Sequence, residues 1–201
     1  MKKIAIIDYG LGNLRSVNRG LEKAGANAFI TSNAAEIASA DGLVLPGVGA
    51  FHEGMDQLGP LQEIVIRAAR EVPLLGICLG MQMLMETSEE HGIHQGLGLI
   101  PGCVRRFPRG SGQKVPHMGW NSLALEKPEN PLFAGFGPDE YLYFVHSYYA
   151  DTLPEFTLST TQYICPFASS VCHDLTFGVQ FHPEKSGAAG LRLLKNFIGM
   201  V

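Results

Sequence analysis

In the first half of the chain, short apolar runs bounded by glycine, proline or charge alternate with segments whose apolar residues recur at helical spacing. "IAII" at 4–7 lacks polar alternation, the pattern of a strand buried on both faces. Leu14, Val17, Leu21 and Ala24 then repeat with the helix period, and Gly25 is a stop signal. "GLVLPG" at 42–47 is another buried run that ends in breakers. Leu61, Ile64, Val65 and Ala68 mark a helix closed by Pro73, "LLGI" follows as a strand, and residues 78 to about 89 as a helix. Strands alternating with helices predict a parallel sheet with helices on both faces. Sites in such sheets gather at the carboxyl ends of the strands, where "DYGLGN", "PGVGAF" and "GICLG" fall.

From Gly92 the texture changes. Glycine, proline and aromatic residues increase, and "LGLIPGCVRRF", "KVPHMGWNSLAL", "YLYFVHSYYA" and "EFTLSTT" have the pattern of short strands. "FGVQFHPE" is expected as the last strand, alternating in character. "GAAGLRLLKNFIGM" is expected as a closing helix with Leu191, Leu194 and Ile198 on one face. There is no internal repeat, low-complexity segment or linker. The expected fold class is α/β: an open, mostly parallel sheet with helices on both faces, of the nucleophile-elbow type, with antiparallel strands added in the second half. Residues 1–201 are expected to form one domain.

Composition supports a globular chain. Hydrophobic residues make up 46%, charged residues 17%, and mean hydropathy is +0.10. The formal charge of −4 has no long run of either sign, which argues against a nucleic-acid partner. No apolar run reaches the ~18 residues of a membrane span, and Asp8 interrupts the first apolar segment too early for a signal peptide. A cytoplasmic location is expected. The four cysteines contain no C-x-x-C pair. Cys165, Cys172 and His173 fit no standard ligand spacing, so no metal is expected. Cys103, Cys165 and Cys172 suit small strand or loop hydrophobes.

Cys78 is different. It lies in "GICLGMQ" at 76–82, where G-x-C-x-G is the thiol form of the nucleophile elbow, a sharp turn from strand to helix. A sulfur at a helix N-terminus is stabilised as thiolate, and the Leu79 amide can donate to an oxyanion. Alone, this motif fits a glycine-flanked core cysteine equally well. "FHPE" adds His182 and Glu184. Pro183 biases His182 to extended backbone, in which residues two apart share a side. The Glu184 carboxylate can then hold one imidazole nitrogen and leave the other for a thiol, although the two can also simply pair at a strand end. "PGVGAF" at 46–51 offers a glycine turn whose amides can form an anion nest, or an ordinary tight turn. Phosphate binding there ranks lower, because no G-K-[ST] follows.

"GICLGMQ" with "FHPEKSG" resembles the class I, triad-type glutamine amidotransferases. The set "DYGLGN", "PGVGAF", "GICLGMQ", "KVPHMGWN", "YFVHSY" and "FHPEKSG", in this order over residues 8–187, resembles the branch that serves imidazole glycerol phosphate synthase. "PHMGWN" and "HPEKSG" are the parts that point to this branch. The resemblance implies that Cys78 attacks the carboxamide of glutamine, with His182 as base and acid and Glu184 as its orienter. It implies oxyanion donors at Leu79 and in the turn of Val48 and Gly49, and glutamine contacts at Gly47, Gln82, Glu90, Ser147 and Tyr148. It implies no cofactor. It further implies a separate (β/α)8-barrel cyclase subunit that consumes the ammonia, contacted by Asn13, Trp120, Tyr143 and Lys185. Reorientation of Val48 and Gly49 on partner binding would leave the isolated chain nearly inactive.

Plainer roles exist for several of these residues: a solvated charge for Glu90, a helix N-cap for Asn13, a core aromatic for Trp120, a strand residue for Tyr143 and a solvated lysine for Lys185. Alternative functions are a glutaminase for anthranilate or pyridoxal phosphate synthase, a non-catalytic regulatory homologue, and a redox-sensing cysteine protein. The last leaves "FHPE" unexplained.

Overall fold

The computed structural model describes residues 2–108, 110, 112–138 and 140–201. The first half contains β1 (Lys3–Ile7), α1 (Leu14–Ala24), β2 (Asn27–Thr31), α2 (Ala34–Ala38), β3 (Gly42–Gly47), α3 (Phe51–Leu58), α4 (Gln62–Ala68), β4 (Leu74–Cys78) and α5 (Leu79–Met83). The second half adds β5 (Met85–Ser88), β6 (His94–Gln95), β7 (Ile100–Arg106), β8 (His117–Ser122), β9 (Ala124–Leu125), β10 (Tyr141–His146) and β11 (Tyr148–Asp151). It closes with β12 (Thr157–Gln162), β13 (Pro166–His173), β14 (Thr176–Val179) and α6 (Gly187–Met200).

The main sheet runs in the order β2-β1-β3-β4-β14-β13-β11-β7-β5-β6, with β12 pairing β13 and β9 beyond it. From β2 to β14 the pairs are parallel; β13 and β11 then join antiparallel, as the change of texture predicts. The strand β14 is both, parallel to β4 and antiparallel to β13. It is buried at every position, so its neighbours on both faces override the alternation expected for it. Separately, β8 and β10 form a two-stranded antiparallel ribbon with His146 opposite His117 and Tyr143 opposite Trp120.

Two layers of helix cover the parallel half. Ile4 and Ile6 face Val17 and Leu21 of α1 and Leu193, Leu194 and Phe197 of α6. Ala5 and Ile7, one residue out of phase, face Phe51 and Leu58 of α3 and Ile64 and Val65 of α4. Each fully buried aliphatic side chain here contributes roughly 1.5–3 kcal/mol. Gly25 takes φ 102° and ends α1 in the left-handed conformation, as the sequence predicts. No helix among the described residues is long and apolar enough to cross a membrane.

Two expectations need correction. The helix after Cys78 stops at Met83 rather than near residue 89, and β5 follows. The carbonyls that would continue it are taken by a later segment: Leu97 N donates to Met83 O, and Leu99 N and Ile100 N donate to Leu84 O. Tertiary pairing overrides local propensity here. In α6 the buried face is Ala189, Gly190, Leu193, Leu194 and Phe197, with Leu191 and Ile198 only half-buried. The helix is turned by a close contact: a Cβ on Gly190 would lie 1.9 Å from the Pro183 carbonyl oxygen. Only glycine lets α6 press against the turn that carries His182.

Candidate active site

The central position of β4 decides where the chemistry sits. In register, Gly47 pairs with Cys78 across β3 and β4, and Ile77 pairs with Val179 across β4 and β14. The chain leaving β14 through Gln180 and His182 therefore runs beside the end of β4. Three glycines allow α5 to follow that strand end so closely. A Cβ on Gly47 would meet Leu79 Cβ at 2.8 Å, one on Gly76 would meet the Gly80 carbonyl at 2.8 Å, and one on Gly80 would meet Leu45 O at 1.8 Å. Cys78 itself adopts φ 55° and ψ −109°, a conformation that L-residues rarely take. Such strain costs on the order of 1–3 kcal/mol and marks functional turns.

Cys78 and His182 line one cavity of about 340 Å³, within the size range of small-molecule sites. Leu79, Val48, Gly49, Gln82, Glu90 and Lys185 line it too, and the segment Val145, His146, Ser147 and Tyr148 forms one wall. A roomier hollow of about 500 Å³, beside Glu126, Tyr149 and Phe167, holds none of the triad residues.

His182 Nδ1 lies 2.8 Å from Glu184 Oε1, and the two side chains are only 3% and 1% exposed. The contact is the expected one, but the route to it differs. His182 is extended, at φ −101° and ψ 95°, whereas Glu184 lies in the 3-10 turn Pro183–Lys185. The proline starts that turn, and the turn brings the carboxylate back to the ring. His182 Nε2 is buried without a hydrogen-bond partner among the described residues, so it is the nitrogen left for proton transfer. Burial alone would lower the proton affinity of His182. The Cys78 sulfur, as thiolate, and the Glu184 carboxylate outweigh burial and raise its pKa from 6.5 to about 9.

The other predicted site residues divide by position. Gly49 takes φ 100° in the turn after β3, and Val48 is 40% exposed at the cavity edge. Gly47 packs beneath that turn against Tyr9, whose buried hydroxyl donates to Pro46 O at 2.8 Å. Glu90 is buried, not a solvated charge: its Oε2 accepts the Phe51 amide at 2.7 Å. Gln82 Nε2 donates to Tyr148 O and to Gln180 Oε1, each at 3.0 Å, which leaves Oε1 for a ligand.

Trp120 is 56% exposed and packs edge-on to Tyr143, ring centroids 6.0 Å apart, so it is a surface and not a core aromatic. The Lys185 ammonium sits 6.0 Å from the Tyr143 ring centre, so these three share one surface at the cavity mouth. Asn13 is exposed and stands at the N-cap position of α1, but its side chain makes no capping bond.

Sequence reasoning assigned no role to Gln180, His146 or Pro116. Gln180 is fully buried and donates to Cys78 Sγ at 3.6 Å. A lone glutamine between an apolar run and His182 was the available signal. His146 and Pro116 line the cavity.

The model of the family described as "Glutamine amidotransferase class-I" matches residues 5–200. An imidazole glycerol phosphate synthase subunit HisH from Methanosarcina acetivorans is 53% identical over 203 residues, 100% of both chains. A protein of the same name from Methylococcus capsulatus is 50% identical over 209 residues, covering 98% of this chain and 96% of that one. Among solved structures, PurLQS from Thermotoga maritima superposes with a TM-score of 0.75 at 18% identity, covering 99% of both chains. The glutaminase domain of Trypanosoma brucei CTPS with bound acivicin gives 0.73 at 16%, covering 100% of this chain and 93% of that one. The structural neighbours bear on the fold alone.

Proposed function

The chain belongs to the class-I glutamine amidotransferase family, and on that premise we propose that it is the glutaminase subunit of an imidazole glycerol phosphate synthase in histidine biosynthesis. Residues 1–201 act as one glutaminase domain in the cytoplasm. One observation carries the chemistry: a cysteine held at positive φ and a carboxylate-anchored histidine open into the same small cavity. Identity of about half the residues over the full length carries the choice of branch.

The geometry supports the following roles. Cys78 Sγ attacks the side-chain carbonyl carbon of glutamine while His182 takes the thiol proton. The oxyanion is met by the Leu79 amide and by an amide of the turn at Val48 and Gly49; one such donor is worth ~10²–10³ in rate. His182 returns the proton to the leaving nitrogen, ammonia departs, and a glutamyl thioester remains. Water activated by His182 then attacks the thioester and releases glutamate. Glu184 keeps the ring oriented and stabilises its cationic form, consistent with the raised pKa. Gly47, Gln82, Glu90, Ser147 and Tyr148 shape the glutamine site.

Ammonia passes to a partner subunit, a (β/α)8-barrel cyclase. The partner docks near Asn13, Trp120, Tyr143 and Lys185; Trp120 is exposed, and the half-buried Tyr143 ring touches both it and the Lys185 ammonium beside the cavity. Partner binding resets the turn at Val48 and Gly49. The test is glutamine hydrolysis with and without a cyclase subunit and its ribotide ligand. The reading predicts little hydrolysis alone and strong stimulation in the complex. A full rate from the chain alone contradicts the gating, and stimulation only by an anthranilate or pyridoxal phosphate synthase subunit contradicts the branch.

A further inference from the structure

His146 in the cavity wall and His117 behind it form a pair of buried histidines that the triad mechanism does not use. His117 and His146 face each other across the ribbon of β8 and β10, 3% and 5% exposed. Their hydrogen bonds form one chain. His146 Nδ1 lies 2.8 Å from Tyr148 O, His117 Nδ1 lies 2.9 Å from His146 Nε2, and Asn121 Nδ2 lies 3.3 Å from His117 Nε2. Asn121 Nδ2 also donates to Gln162 O at 3.0 Å, and its Oδ1 accepts the Ser122 amide at 2.9 Å.

Two backbone carbonyls determine every proton in this chain. Tyr148 O can only accept, so His146 must carry its proton on Nδ1. A neutral His146 then offers Nε2 as acceptor, so His117 must also be protonated on Nδ1. His117 Nε2 in turn accepts from Asn121, whose amide is oriented by its contacts with Gln162 and Ser122. Charging either ring would set two donors against each other. The surroundings exclude charge as well: Phe144 and Tyr163 stack on His117, and Phe107 and Phe167 pack on His146. Burial lowers the pKa of His117 to about 4, and burial outweighs the bond to Tyr148 and takes His146 to about 3. The titratable groups that face the pair are Tyr163, whose hydroxyl donates to Lys114 O, and His182.

We propose that His117 and His146 are positioning residues for glutamine binding: two neutral imidazoles of fixed tautomer that hold the Tyr148 carbonyl, and through it the Gln82 amide, in the cavity wall. The Tyr148 carbonyl is shared between His146 Nδ1 and Gln82 Nε2. The same Gln82 nitrogen donates to Gln180 Oε1, and Gln180 Nε2 donates to Cys78 Sγ. The chain therefore runs from the ribbon to the nucleophile, and removal of His117 leaves His146 Nε2 buried and unpaired, which weakens the hold of the ring on the Tyr148 carbonyl. The consequence falls on the orientation of Ser147, Tyr148 and Gln82, hence on ground-state binding of the substrate. This inference rests on the glutaminase reading for its kinetic arm only.

Long-range ¹⁵N–¹H correlation spectra of the full chain should show both rings neutral and protonated on Nδ1 between pH 5.5 and 8. A ring protonated on Nε2, or charged at pH 6, overturns the proposal whether or not the protein hydrolyses glutamine. In the complex with the cyclase subunit, His117→Leu should raise KM for glutamine roughly tenfold, the effect of losing a buried hydrogen bond, with kcat within about threefold. His117→Asn, which keeps a donor near the position of Nδ1, should restore most of the KM. A lowered melting temperature with KM unchanged in His117→Leu would show a purely structural role and overturn the proposal. If His117→Leu does not fold, the spectra of the wild-type chain decide. If the wild-type complex shows no glutaminase activity, the glutaminase reading falls and the spectra still judge the histidine pair.

Discussion

Substitution of Gly80 by alanine tests the elbow at its tightest point. A Cβ on Gly80 would lie 1.8 Å from Leu45 O and 2.8 Å from Leu45 C, both backbone atoms of β3. Neither can rotate away. Relief requires α5 to withdraw from β3 by roughly 1 Å or more, and a misplacement of ~1 Å at a reacting group can cost 10²-fold in rate. The Leu79 amide and Cys78 move with the helix, so attack and oxyanion binding suffer together. Overpacking of this kind also destabilises by roughly 1–3 kcal/mol. Gly80→Ala should therefore lower glutamine hydrolysis by the assembled complex at least 10²-fold and reduce the melting temperature, with circular dichroism still showing a folded chain. Gly199→Ala is the control: no atom from outside its own stretch of α6 lies within 4 Å of its Cβ position, and activity should be unchanged. A folded Gly80→Ala protein with activity within threefold of wild type would refute the close-approach argument.

Two further outcomes follow from the charged groups of the site. Because the folded-state pKa of His182 is raised from 6.5 to about 9, with Glu184 among the causes, its contribution to stability is complete below pH 6.5 and disappears as the pH rises through 9. Glu184→Gln should thus be least stable relative to wild type near pH 6, with the gap narrowing towards pH 10, and its His182 should titrate at lower pH; denaturant melts across pH and NMR of the ring report both. Glu90→Ala leaves the Phe51 amide buried without its acceptor, a cost of roughly 1–3 kcal/mol. Thermal melts should show that loss together with a raised KM for glutamine, and an unchanged melt would contradict the assigned contact.

Legibility in the sequence followed the physics of each element. β1, β3 and β4 are buried on both faces, and unbroken apolar runs announce them. Edge strand β2, "NAFIT", is mostly half-buried or exposed and has neither a continuous run nor clean alternation. α2 is a single short helix stabilised by the Asn33 side chain, which accepts the amides of Ala35 and Glu36; too few residues carry a period. The short α5 and the rotated face of α6 were hidden for another reason. Both depend on contacts outside the helix itself, Leu97 with Met83 and Gly190 with Pro183 of the preceding turn.

At the site, the cysteine elbow and the histidine and glutamate of "FHPE" were readable, because strained backbone and a proline turn leave marks in residue type. The approach of Glu184 to His182 through a 3-10 turn was not, since proline is compatible with both extended and turn geometries. The histidine pair was equally hidden. His117 and His146 are 29 residues apart, and only the antiparallel register of β8 and β10 makes them partners. Gln180 escaped notice because a single polar residue just past an apolar strand has no partner until the neighbouring strand end is placed beside it.

The central claim is that Cys78 is the nucleophile of a glutaminase, and covalent labelling tests it most directly. The complex of this chain with a cyclase subunit, treated with a glutamine-mimicking electrophile such as acivicin, should gain one adduct, located at Cys78 by peptide mass spectrometry, as glutamine hydrolysis falls to zero. Cys78→Ala should take up no adduct and hydrolyse no glutamine. An adduct on another residue, or glutamine hydrolysis by Cys78→Ala at an undiminished rate, would contradict the account.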